Sequence, residues 1–124
     1  MKNQKEYKER RDYQDYYTGY DMLHREELKE LRVDAKLRKL QGEKELKGAG
    51  FRATIAERDG AQILTSYYTE VAMIKDGKLY RLWDAWSATT AKHIRLFCKK
   101  FNVRNPSKYE WIMTNVGEEI NYVK

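Results

Sequence analysis

Two Asp-Gly pairs, Asp59-Gly60 and Asp76-Gly77, constrain this chain more than any other feature. A two-residue turn between antiparallel strands holds both of its central residues at positive φ. Asp-Gly is among the few pairs that tolerate this. The stretch "FRATIAERDGAQILTS" places Phe51, Ala53 and Ile55 on one side before the first turn, with Ile63 and Leu64 after it. The stretch "YYTEVAMIKDGKLYRLW" places β-rich runs at 67–75 and 78–83 around the second. Two such hairpins in tandem predict an antiparallel β-meander of about four strands.

On either side of the meander the period becomes helical. Over 87–101, Ala91, Ile94, Phe97, Cys98 and Phe101 follow i, i+3, i+4 spacing, which predicts one buried helix face. Ser87 and Thr89 stand at its start, where a hydroxyl accepts from the free N–H groups of a first turn. Asn102 can end it. Further on, "NPSKYEWIMTNVG" predicts a short helix. Asn105 and Pro106 fit its cap and first-turn positions, and Ser107 with Glu110 makes a capping-box pattern. Its buried face would hold Tyr109, Ile112, Met113 and Val116. A strand with Tyr109, Trp111 and Met113 on one side is the competing arrangement. Trp83, Trp86 and Trp111 flank the periodic segments and are expected in or beside the core. The tail "EINYVK" could add a short strand.

Three of the seven glycines fall in 41–50 and divide the chain. Residues 1–48 read as a charged, Tyr-rich helical arm and 49–124 as an α+β domain. Asp21 can cap a helix that runs to about Leu40, acidic early and basic late, as the helix dipole prefers. Its apolar residues form two faces: Leu28, Leu31 and Ala35, and, rotated from these, Val33, Leu37 and Leu40. The first would pack on the domain. The second is either partly exposed or meets another chain, so self-association through helix 21–40 is one partner reading. The fold class expected is α+β: the meander packed with one or two helices, plus the N-terminal helical arm.

The composition narrows the function classes. A single cysteine rules out an internal disulfide, and with only two distant histidines no zinc site is expected. No glycine-rich phosphate loop or nucleophile elbow is present, and beyond Glu118-Glu119 in the tail, which reads as a solvated turn, no carboxylate pair suggests acid–base work. No catalytic residue, cofactor or metal is therefore assigned and a non-enzymatic role is expected, a metal-independent nuclease using His93 being the competing reading. Cys98, between Phe97 and Phe101, reads as a small core hydrophobe. No apolar run approaches the roughly 20 residues that span a bilayer. The N-terminus is charged throughout, unlike a signal peptide, so a cytoplasmic protein with no membrane partner is expected. The net charge is +6, which favours a polyanionic partner.

Charge placement names the candidate residues. Residues 1–48 carry 13 basic and 11 acidic side chains, whereas 49–124 carry 12 and 8. From Thr89 to Arg104 there are five basic residues and no acidic one. Lys92, Arg95 and Lys99 recur at helical spacing opposite the predicted core face, and Lys100 and Arg104 extend the stripe. Solvated faces normally mix signs. His93 and the hydroxyls of Thr89 and Thr90 at the helix start complete a candidate anion- or partner-binding set. In the arm, Tyr13, Tyr16, Tyr17 and Tyr20 interleave with Arg10 and Arg11, a pattern that stacks on bases or anchors a protein interface. The same tyrosines would equally form a stripe packed on the domain.

The segment "VAMIKDGKLYRLWDAWSATTAKHIRLFCKKFNV" (71–103) resembles a small domain of uncharacterised proteins from bacteriophages and mobile elements of Gram-positive bacteria. The likeness is carried by Arg81, Leu82, Trp83, Ser87, Ala88, Thr89, Thr90, His93 and Phe97. It implies a phage accessory protein that binds and inhibits a host protein or nucleoprotein, an anti-CRISPR acting on a CRISPR effector with its guide RNA being one form. Such a basic protein would contact guide RNA or an acidic surface rather than mimic DNA. The alternative is an accessory protein that binds DNA or RNA directly.

Overall fold

Both Asp-Gly pairs turn as the sequence requires, with φ of 52° and 80° at Asp59 and Gly60 and of 53° and 75° at Asp76 and Gly77. The structure, a computed structural model, describes residues 25–123. Helix α1 (Arg25–Leu40) leads into strand β1 (Lys44–Glu45) and a single 3₁₀ turn (Gly50–Arg52). Strands β2 (Ala53–Arg58), β3 (Ala61–Ser66), β4 (Thr69–Lys75) and β5 (Lys78–Arg81) follow. Helices α2 (Ala88–Lys100) and α3 (Lys108–Ile112) close the fold. The five strands pair antiparallel in chain order, so the α+β class and the four-stranded meander stand, with β1 added at one edge. Strand β1 and the buried Leu46 precede Ala49, so the sheet and its core begin within the stretch read as arm. Asp21 and the candidate arm residues Arg10, Arg11, Tyr13, Tyr16, Tyr17 and Tyr20 lie outside the described residues.

The register sets which side chains meet α2. Ile55 pairs with Leu64, Leu64 with Ala72, and Ala72 with Arg81, so one row crosses four strands on one face. Ala53 and Ser66 form the next row on that face. A register shift between Leu64 and Thr65 rotates the start of β4. Helix α2 buries Ile94, Phe97 and Cys98 against this face, with Phe101 edge-on to Phe97 at 5.4 Å between ring centroids. The predicted core face of α2 is therefore the real one. Burial pushes the Cys98 thiol up to about 12, which makes it a core hydrophobe at neutral pH.

Helix α3 packs the other way round from the sequence reading. Its capping box is present, with Ser107 as the cap: the Glu110 N–H donates to Ser107 Oγ at 3.1 Å and the Ser107 N–H to Glu110 Oε1 at 2.8 Å. Its inner side is Glu110, Trp111 and Thr114, while Tyr109, Ile112, Met113 and Val116, expected inside, are exposed. Trp111 decides this orientation. It is the largest fully buried side chain, it lies 6.0 Å from Trp86, and its indole N–H donates to the Ala85 carbonyl. Arg81 fixes the far end. Its guanidinium donates to the carbonyl of Trp83 and to those of Trp111, Ile112 and Thr114 at and just past the end of α3, where helix carbonyls run out of partners. The tail adds an isolated bridge, Tyr80 with Glu119, rather than a strand.

Helix α1 lies on the opposite face at the β1–β2 end, where Ala35 and Thr54 border one groove. Leu31 and Ala35 are buried. Val33, Leu37 and Leu40 are 58%, 52% and 83% exposed, and Val33 and Leu37 border an open groove with Tyr68 of the β3–β4 turn, so the second apolar face of this helix stays largely open to solvent. No helix among the described residues is long and apolar enough to cross a membrane.

Candidate nucleic-acid interface

Ser87 starts α2 from extended backbone, and its Oγ accepts the Thr90 N–H at 3.2 Å. Of the two hydroxyls read as possible caps, Ser87 takes the role and Thr89 does not. With the start and the buried face fixed, helical geometry sends Lys92, Arg95 and Lys99 outward along one line, with Lys100 beside them. All four are exposed. Side chains three and four apart sit about 5–6 Å from each other at Cβ, so the stripe repeats positive charge every turn. Among the described residues none of these four is in an ion pair. Three cations of the first helix differ: Lys29 pairs with Glu26, Arg38 with Asp34 and Glu43, and Lys39 with Glu45.

Three members of the candidate set leave the stripe. Arg104 pairs with Glu110 at 2.6 Å, donates to the Val123 carbonyl and stacks 4.4 Å from the Tyr122 ring centroid. It ties the chain after α2 to α3 and the tail. The Ser107 and Val123 N–H groups, with Arg104, hold the Glu110 carboxyl below its ordinary range. His93 and Thr90 point inward and are 2% and 4% exposed. His93 Nδ1 lies 2.8 Å from Ser66 Oγ, and Thr90 Oγ1 lies 3.2 Å from the same oxygen. The position explains the change: the inward face of a helix packed over Ser66 needs polar groups there, because a buried hydroxyl without a partner is costly. Ser66 was missed in the sequence. Its only signal was a place in register with Ala53 at the end of β3.

Above this buried trio, a cavity of about 300 Å³ opens at the start of α2. Tyr67, Val71 and Trp83 form its apolar walls. Hydroxyls surround them: Ser66, Thr69, Ser87, Thr89 and Thr90. No charged side chain lines it. Tyr67 takes φ of +59° in the β3–β4 turn, which brings its ring to 5.9 Å from His93. The hydroxyls at the helix start and the stripe are thus neighbours on one helix, with Thr89 one turn before Lys92. No group of three or more His, Cys, Asp or Glu able to hold a metal occurs among the described residues.

The model of a family of unknown function, DUF8033, matches residues 35–113, well over half of the chain. The chain belongs to this family. The DUF8033 span takes in the last six residues of α1, the whole sheet, α2 and α3, so stripe and cavity both lie within it. No curated protein and no solved structure matches the chain.

Proposed function

We propose that this protein acts as a binder rather than a catalyst, and that α2 docks it on the phosphate backbone of a nucleic acid, free or held in a nucleoprotein. One observation carries the reading. Lys92, Arg95, Lys99 and Lys100 are exposed and without ion pairs among the described residues, on a helix with no acidic residue from Ala88 to Arg104. Exposed cations spaced along a helix neutralise phosphates and release counterions, which supplies most sequence-independent affinity. Nothing in such binding needs a cofactor. The setting we infer is the cytoplasm of a bacterial host.

The narrower form of the reading is a phage protein that inhibits a host nucleoprotein, a CRISPR effector with its guide RNA being one such target. The exposed apolar side of α3 favours it. Tyr109 and Ile112 on α3, with Met113 and Val116 just after it, are large apolar side chains left exposed, as at surfaces that meet another protein. A molecule that exposes both a basic helix face and apolar side chains suits a partner made of both nucleic acid and protein.

Pull-down of host lysate with tagged protein, with and without nuclease, separates these forms. Direct binding predicts recovery of nucleic acid and loss of accompanying proteins after nuclease. Inhibition of a nucleoprotein predicts one host protein retained after nuclease, and lost on Ile112→Asp with Met113→Asp. Recovery of neither nucleic acid nor nucleoprotein contradicts both.

A further inference from the structure

The cavity at the start of α2 has no part in a purely backbone-binding reading, yet it opens one turn from the first stripe residue. Its size is at the small end of ligand pockets, which run from about 300 to 1,000 Å³. That suits one ring system rather than a chain. Its chemistry selects further. Trp83 and Tyr67 offer aromatic faces, and no charged group lines the walls, so a flat, neutral heterocycle fits better than an anion. The surrounding hydroxyls each donate or accept by rotation, which lets them meet varied ring edges. Ser66 and Thr90 are held from below by each other and by His93, Ser66 contacting both, so the cavity floor is fixed in place.

We propose that this cavity takes one unpaired base of a single-stranded nucleic acid whose phosphates lie along Lys92, Arg95 and Lys99. The inference rests on the reading of α2 given above and names its substrate class. A paired base cannot enter, because its ring edges and faces are occupied in the duplex. The site therefore discriminates strand state and tolerates sequence. Each base stacked on an aromatic side chain contributes about 1–3 kcal/mol, or roughly 5- to 150-fold in affinity.

The test is fluorescence anisotropy at one fixed salt concentration. The probes are a labelled oligothymidylate of about 12 nucleotides and the same strand annealed to its complement. The expected result is at least about tenfold tighter binding of the single strand. Thr69 is exposed on β4 and lines the cavity, so Thr69→Phe fills the space without entering the core. It should lower single-strand affinity to the duplex level, leave duplex affinity unchanged and preserve the thermal midpoint. Equal wild-type affinity for the two probes overturns the proposal and spares the α2 reading. So does a single-strand preference that survives in a folded Thr69→Phe. Failure to bind either probe removes both.

Discussion

Helices α1 and α2 are both rich in lysine and arginine, but they use them differently. On α1 acidic and basic residues are mixed, and Lys29, Arg38 and Lys39 close on carboxylates of the helix itself or of the segment just after it, Glu43 and Glu45. On α2 one sign fills the outward face, and the acidic partners are missing from the sequence itself. Their inner faces differ as well. Helix α2 buries five residues over the middle of the sheet, and α1 buries two at its edge. Fixed cations on a well-anchored helix make a preorganised surface, whereas paired cations on a lightly anchored helix spend their charge locally.

The largest effects should come from the inner faces. Phe97→Ala should lower stability by about 3–5 kcal/mol, and Leu31→Ala by about 2–3 kcal/mol, measured by urea unfolding. Equal losses would mean that α1 is as firmly built in as α2. Next is Arg81, a cation with four carbonyl partners and so the opposite of the α2 stripe. Arg81→Ala should cost about 3 kcal/mol by leaving several buried carbonyls unsatisfied. A loss under about 1 kcal/mol would mean water replaces the guanidinium. Smaller again is the α2 start, where Ser87→Ala should cost about 1 kcal/mol, and its thermal midpoint reports this directly.

The pH dependence should sharpen the role of Arg104, the basic residue diverted from the stripe. The Glu110 carboxyl is held low by the Ser107 and Val123 N–H groups and by Arg104. Its stabilising contribution is therefore full above the ordinary carboxylate range and is lost as pH falls through the lowered value. Thermal midpoints of wild type and Glu110→Gln should differ at neutral pH and converge in acid. A gap that stays constant with pH would mean that the carboxylate's charge is not what holds Arg104.

How much of this was legible in the sequence follows from what each signal depends on. The Asp-Gly turns and the α2 stripe are local: backbone sterics and a sustained 3.6-residue period act within a few residues, and both were readable. The β3–β4 turn was not, because Tyr67 takes positive φ without glycine and only tertiary packing holds it there. The α3 face was misread because its period is as good outside as inside. Over five residues, burying one tryptophan outweighs exposing a tyrosine, an isoleucine and a methionine. His93 enters the candidate set on residue type alone, whereas its angle on the helix places it over Ser66. Arg81 carries no local mark, since three of its four carbonyl partners lie about thirty residues away. Thus the basic stripe was half legible: the cations were found, and the cavity beside it depended on register across the sheet.

Location of charge, not its total, is the central claim, and one measurement separates the two. Lys92→Glu, Arg95→Glu and Lys99→Glu together take the formal net charge from +6 to zero. So do Lys29→Glu, Arg38→Glu and Lys39→Glu, which reverse the three paired cations of α1. Affinity for a single-stranded oligonucleotide should be measured for each across a salt series. For wild type and the α1 variant, log affinity should fall with log salt at about the same slope. For the α2 variant the slope should flatten by about 2, with about 0.7 unit lost per phosphate contact removed. Equal flattening in the two variants would contradict the claim, since net charge alone would then account for binding.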